Sequence, residues 1–73
     1  MKSTFVVRGE YIQLDQLLKV AGLVTTGGEA HAAVAAGLVK VDGKVEGRKR
    51  AKLRAGQGVS YAGHNITLVA DQG

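Results

Sequence analysis

In the N-terminal part of the chain, the apolar residues have the spacing of a strand and, further along, the spacing of a helix. Residues 4–7, with the sequence TFVV, predict a short strand because they are rich in β-branched and aromatic side chains. Leu14, Leu17, Leu18 and Ala21 follow the i, i+3, i+4, i+7 spacing of one apolar helix face. The pattern therefore predicts a strand followed by an amphipathic helix that stops at Gly22.

A second helix has the clearest start signal in the chain. Thr26 is followed three positions later by Glu29, which is the spacing of a capping box. Gly37 provides a place for the chain to leave the helix. The apolar face of this predicted helix consists of Ala30, Ala33, Val34 and Leu38.

Beyond residue 37 the apolar period changes from 3.6 to 2, which predicts strands. Val39, Val41 and Val45 are assigned to one face, and Lys40 and Lys44 to the opposite, solvated face.

Glycine-containing turns separate the predicted strands. The pair 42–43, Asp-Gly, predicts a two-residue type I′ hairpin turn, and residues 62–65 predict a second hairpin turn. Two helices before a run of four short strands predict an α+β fold in which the helices pack on a small antiparallel sheet of about four to five strands.

Composition limits the possible classes of protein. The 73 residues are enough for one domain, so we expect 1–73 to form a single domain. The absence of cysteine excludes disulfides and thiolate metal sites. No apolar stretch approaches the ~18 residues that span a bilayer, and the N-terminus lacks a signal-peptide pattern. We therefore expect a cytoplasmic protein without a membrane partner.

Basic residues are concentrated in residues 40–54, within which residues 47–52 are predicted to form a loop. Residues 40–54 hold seven of the ten basic residues against two acidic ones, whereas the rest of the chain holds three basic and four acidic residues. Such a local excess of positive charge attracts polyanions such as nucleic acid. Charge alone is equally consistent with a solvated loop that only keeps the protein soluble.

Residues at the boundaries of the predicted elements form one combined pattern: Leu14–Asp15, Leu18, Gly22, Thr26, Glu29–Ala30, Val34, Gly37–Leu38–Val39, Val41–Asp42–Gly43–Lys44–Val45, Gly56–Gln57 and Val59. This pattern resembles the S4-type RNA-binding domain, which is also found in pseudouridine synthases, tyrosyl-tRNA synthetases and a ribosome-associated heat-shock protein. The resemblance covers about residues 12 to 61. The chain looks most similar to the small stand-alone bacterial members of that family.

The resemblance implies an αL motif that binds structured RNA, ribosomal RNA or tRNA or RNA in ribosomal particles, without catalysis. In this family the N-terminal half of the second helix and the following β-hairpin face the RNA. The residues expected to contact RNA here are Gly27, Gly28, His31, Lys40, Lys44, Arg48, Lys49, Arg50 and Lys52. Because the chain has few aromatic residues, the RNA is expected to be recognised by its shape and backbone more than by its unstacked bases.

Four positions depart from the family pattern and leave the helical half of the expected surface poor in charge. Gln13 and Gly27 stand where the family often has arginine, and His31 and Ala32 stand where it has basic residues. Gly27 and Gly28 are expected either to expose amide groups to a phosphate or only to allow a tight turn between the helices. His31 is interpreted as an RNA contact or as an ordinary surface residue, and His64 as structural.

Other functions are less well supported by the residues. The two histidines have no evident carboxylate partner, and no metal-ligand cluster or phosphate-binding loop is present, so we expect no enzyme, metal, cofactor or small-molecule substrate. A DNA-binding helix-turn-helix over residues 14–37 is one alternative, although the second helix lacks side chains that read base edges. An adaptor whose basic loop binds an acidic protein is the other alternative.

Overall fold

The computed structural model describes residues 2–71, and its elements follow the predicted order with additional short strands. In chain order they are β1 (Lys2–Val7), β2 (Ile12–Gln13), α1 (Leu14–Val20), α2 (Gly27–Ala35), β3 (Lys40–Val41), β4 (Lys44–Val45), β5 (Lys52–Leu53), β6 (Gly58–Tyr61) and β7 (His64–Ala70). The predicted α+β class is confirmed. Neither helix of the described chain has the length and apolar character needed to cross a membrane.

The main sheet has five strands in the order β1-β7-β6-β3-β4. Strands β3, β4, β6 and β7 pair antiparallel, whereas β1 pairs parallel to β7. The sheet is therefore mixed rather than wholly antiparallel. A parallel pair needs a long crossover connection, and here the rest of the domain between β1 and β7 provides it.

A second sheet, which the sequence pattern did not predict, joins two strands of two residues each. Ile12 in β2 pairs with Leu53 in β5, and Gln13 pairs with Lys52. Lys52 is therefore in a strand, although its position in the sequence suggested a loop. Strands of two residues are too short to show an alternating pattern, so periodicity alone does not reveal them.

The second helix begins as its capping signal predicts. The Thr26 hydroxyl accepts a hydrogen bond from the Glu29 backbone N–H at 3.1 Å. The Glu29 carboxylate accepts a hydrogen bond from the hydroxyl of the neighbouring Thr25. Gly37 follows the helix with a φ of +74°, and Gly22 follows α1 with a φ of +77°, so both predicted stops are confirmed.

The core lies between the two helices and one face of the main sheet. Its fully buried side chains of largest volume are Leu14, Leu17, Leu18, Leu53, Leu68 and Val39. Leu38 and Val45 were both assigned to apolar faces, but they are 58% and 57% exposed. Leu38 is exposed because it lies beyond the end of α2, and Val45 is exposed because of its position in the β3–β4 hairpin.

The β3–β4 hairpin has the predicted turn but a different distribution of side chains. Asp42 and Gly43 have φ values of 52° and 82°, as a type I′ turn requires. Val41 pairs with Lys44, and Lys40 pairs with Val45. Because paired residues share a face of the sheet, Lys40 and Lys44 lie on opposite faces, and their assignment to one face was wrong.

The β6–β7 hairpin turn is shorter than predicted. Only Ala62 and Gly63 form the turn, with φ values of 52° and 80°, and Tyr61 pairs directly with His64. His64 and Asn65 belong to β7. The predicted hairpin is confirmed, but its four-residue turn was wrong.

Candidate functional site

The basic loop, residues 47–51, is fixed by its backbone to the start of α1. The Leu14 N–H donates to the Ala51 carbonyl at 2.9 Å, and the Asp15 N–H donates to the Lys49 carbonyl at 3.0 Å. No side chain caps this end of α1, so the loop carbonyls satisfy N–H groups that a helix start leaves unpaired. Ala51 is buried at the end of the loop. The loop thus has a defined position on the body of the domain.

The residues after the loop pair with the segment that directly precedes α1. Leu53 in β5 is buried, and its neighbour Lys52 is exposed. The Lys52 Nζ lies 5.0 Å from the centroid of the Tyr11 ring, within the range of a cation–π contact. Lys52 therefore has a preferred direction instead of being a freely moving surface lysine.

A histidine–carboxylate pair joins α2 to the same end of α1. His31 Nε2 lies 3.1 Å from Asp15 Oδ2, and the Asp15 side chain is only 15% exposed, compared with 35% for His31. The other carboxylate oxygen of Asp15 accepts a hydrogen bond from the Gln16 N–H at 2.8 Å. Asp15 is thus the carboxylate partner of His31 that the sequence did not reveal.

A shallow cavity, which we call the hollow, lies between α2 and the basic loop. Its volume is about 390 Å³, and it is lined by His31, Val34, Ala35, Gly47, Arg48, Lys49 and Arg50. The side from α2 contributes apolar groups, and the loop contributes cations. The structure therefore brings together four of the nine residues that were expected to bind RNA.

The loop cations are largely available for a ligand. Arg48 Nη2 lies 3.3 Å from Glu46 Oε1, and the Arg48 side chain is 81% exposed. Within residues 2–71, no acidic side chain forms an ion pair with Lys49 or Arg50. An exposed pair such as Arg48–Glu46 contributes only about 0–1 kcal/mol to stability, so a phosphate can readily replace the carboxylate.

Gly27 and Gly28 lie one turn before His31 on α2. Residues three and four apart on a helix share a face, so Gly27, His31 and Ala35 follow one another along the side of α2 that borders the hollow. Neither Gly27 nor Gly28 has a positive φ, and a Cβ added to Gly27 would meet no atom within 4 Å. The backbone of α2 does not require glycine at either position.

The hairpin lysines are separated from the hollow. Neither Lys40 nor Lys44 lines it, and they extend from opposite faces of the hairpin. Between them, the Asp42 carboxylate accepts hydrogen bonds from the Gly58 N–H at 2.9 Å and from the Gln57 side chain at 3.3 Å. Asp42 is therefore engaged in holding the hairpin against β6.

Three residues that were not predicted to belong to the site orient its side chains. Asp15, Glu46 and Tyr11 orient His31, Arg48 and Lys52 respectively. Tyr11 and Glu46 lie outside the family pattern. Asp15 belongs to that pattern and lies in the first helical turn, which indicates a favourable dipole interaction, but neither signal identifies a partner on α2.

Comparisons with known proteins agree with the resemblance found in the sequence. The family model for the S4 domain matches residues 5–69. The chain is 52% identical over 60 residues to the Escherichia coli (strain K12) protein named "Putative RNA-binding protein YbcJ", with 82% of this chain and 86% of that protein covered. The same values hold for "Uncharacterized protein YbcJ" of Shigella flexneri.

A solved structure supports the fold. The solution structure of E. coli YbcJ matches 92% of this chain and 86% of its own, with a TM-score of 0.72 and 48% sequence identity. That structure is described as revealing an αL motif involved in RNA binding. The predicted αL architecture is therefore confirmed.

Proposed function

The chain belongs to the S4 domain family, and on this premise we propose that it binds structured RNA without catalysing a reaction on it. The name of the related E. coli protein and the description of its structure both refer to RNA binding. The E. coli relative is named as a binding protein, not as an enzyme. None of the residues that line the hollow carries a hydroxyl or a thiol that could act as a nucleophile.

The observation that carries the proposal is the fixed position of the loop cations beside α2. Arg48, Lys49 and Arg50 lie on a loop whose backbone is hydrogen-bonded to α1 at Lys49 and Ala51. A surface that is ordered before binding loses less conformational entropy when the ligand arrives. Arginine also forms two parallel hydrogen bonds to a phosphate. The loop is thus suited to neutralise several phosphates of one RNA segment.

We do not expect the other residues that are predicted to contact RNA to contribute equally. His31 and the exposed amides near Gly27 and Gly28 would contact the RNA from α2, and Lys52 from the strand after the loop. Lys40 and Lys44 would approach the RNA from opposite faces of the hairpin, so we expect one of them to contribute more than the other.

We propose ribosomal or ribosome-associated RNA as the partner. This proposal rests on the family resemblance and on the absence of several exposed rings for binding single strands. Such a partner would place the protein in the cytoplasm, where it would act as a single domain without a cofactor or a metal ion.

A competition experiment tests the function against its alternatives. A labelled, structured ribosomal RNA fragment is bound to the protein and challenged with unlabelled RNA, duplex DNA or polyglutamate at equal charge. We expect RNA to compete best. More effective competition by duplex DNA would support a helix-turn-helix function instead, and more effective competition by polyglutamate would support an acidic protein partner.

The structure already bears on the DNA alternative. The exposed residues of α2 are Gly28, Glu29, Ala32 and Ala35. None of these carries the Arg, Asn or Gln side chain that reads base edges in the major groove.

A pull-down from cell extract tests the alternative of an acidic protein partner. The captured material should be lost after ribonuclease treatment, and retention of that material would contradict RNA binding.

A further inference from the structure

The hollow has two kinds of surface, and one phosphate cannot make favourable contacts with both. Val34 and Ala35 give its α2 side an apolar character, whereas Arg48, Lys49 and Arg50 form its cationic rim. A phosphate placed against the apolar side would lose water without gaining hydrogen bonds, which is unfavourable. The rim suits a phosphate, but the interior suits an uncharged, flat group.

An unpaired nucleotide has both kinds of surface. Its base presents apolar faces, and its phosphate lies one sugar away. Bases that leave the stack commonly pack on histidine rings or arginine guanidinium planes. The hollow offers the His31 ring and two arginines, and its volume of about 390 Å³ lies in the range of small-molecule sites, roughly 300–1,000 Å³.

His31 is oriented for such a contact. Its Nε2 is held 3.1 Å from Asp15 Oδ2, and the ring is 35% exposed while it lines the hollow. Because the Asp15 carboxylate fixes one ring nitrogen, the imidazole presents a defined surface to the ligand. A histidine without this partner would have to be ordered during binding, at an entropic cost.

The α2 surface before His31 leaves room for the RNA chain next to such a base. Gly27 and Gly28 carry no side chain, and space around the Gly27 Cβ position is open to at least 4 Å. A sugar-phosphate chain can therefore pass close to the start of α2 while its base occupies the hollow and its phosphate contacts the loop.

From these features we infer that the hollow is a binding site for one unpaired RNA nucleobase, with the adjoining phosphate on the Arg48–Arg50 rim. This inference rests on the proposed RNA-binding function and deepens it by naming the ligand of the hollow. It also adds one base contact to the sequence-based expectation that recognition depends on RNA shape and backbone more than on unstacked bases, because one extruded base requires only one small site.

The test compares nucleotides with a probe that lacks the base. The full chain is titrated by NMR with each of the four nucleoside 5′-monophosphates and with ribose 5-phosphate. We expect at least one nucleotide to shift the methyl resonances of Val34 and Ala35 and to bind about 5- to 100-fold more tightly than ribose 5-phosphate, as one stacked base provides. Equal affinities for all five probes would overturn the inference.

Two matched variants locate the site. Ala35→Met fills the hollow with a flexible side chain that favours helices, and it should abolish the preference for nucleotides. Ala32→Met makes the same change on the same helix outside the hollow and should preserve that preference. A preference that survives Ala35→Met, or is lost equally in both variants, would refute the location.

Failure of this inference is distinguishable from failure of the proposed function. If a structured RNA binds in a salt-dependent way but nucleotides bind no better than ribose 5-phosphate, only the base site is wrong. If the chain binds no structured RNA at low salt, the proposed function itself is wrong.

Discussion

Removing the three cations of the basic loop should weaken the salt dependence of RNA binding without unfolding the domain. The perturbation is the triple substitution Arg48→Ala, Lys49→Ala and Arg50→Ala. All three residues are exposed, and the loop is attached through backbone carbonyls that alanine retains. Exposed substitutions of this kind change the free energy of unfolding by about 0.5 kcal/mol or less.

The expected magnitude follows from counterion release. If the wild-type protein contacts ~4 to 6 phosphates, the slope of log affinity against log salt is roughly −3 to −5, because each contact contributes about 0.7 to 0.9. The slope should become shallower by about 1.4 if only Lys49 and Arg50 count, and by about 2.7 if all three cations count fully. Arg48 contributes less than a free cation, because phosphate binding must replace its pair with Glu46.

The assay is fluorescence anisotropy with a structured RNA at several salt concentrations. Between 50 and 200 mM salt, a slope of about −4 lowers affinity on the order of 250-fold, whereas a slope of about −2 lowers it on the order of 16-fold. The matched control, Lys2→Ala with Arg8→Ala and Lys19→Ala, removes the same charge outside residues 40–54. Equal flattening in both triple variants would show that net charge, and not the loop, determines binding.

Three further predictions address single positions. Gly27→Arg should raise affinity for structured RNA about 10-fold or more, because one charge-assisted hydrogen bond contributes about 1.5 kcal/mol or more and the space around this position is open; unchanged or weaker binding would place the RNA elsewhere. His31→Gln should lower the affinity for structured RNA, because the His31 ring lines the hollow, whereas His64→Gln should leave the affinity unchanged; the opposite result would exclude His31 as the contact. Ala62→Asn should raise the free energy of unfolding by about 0.5–1 kcal/mol in thermal denaturation, because Ala62 has a φ of 52° and asparagine tolerates this conformation; lower stability would contradict the turn geometry.

Features that depend on neighbouring residues were predictable from the sequence. The Thr26 cap, the stops at Gly22 and Gly37 and the turn at residues 42–43 are all confirmed. Each is determined by a preference for a particular φ or by a hydrogen bond that closes within four residues. Local chemistry of this kind is fully visible in the order of amino acids.

Features that depend on distant residues were not predictable in the same way. Asp15 and His31 are sixteen positions apart, and they meet only because α1 packs against α2. The β2–β5 pair likewise joins residues 12–13 to residues 52–53. No spacing rule identifies such partners in a single sequence.

The facing of the hairpin lysines was predictable in principle. A two-residue turn pairs the residues on either side of it, so Val41 and Lys44 must share a face. Counting alternate positions through the turn, as if it continued the strand, gave the wrong side for Lys44. Strand alternation applies within each strand of a hairpin, and the turn length sets the relation between the two strands.

The groups that attach the basic loop to α1 are not the side chains that are proposed to contact RNA. The connection uses the carbonyls at positions 49 and 51 and the buried methyl of Ala51, and none of these depends on which side chains stand at 48, 49 and 50. If the loop binds RNA as proposed, substitutions at these three positions would change the ligand preference without altering the scaffold. The loop is therefore a suitable position for randomised libraries.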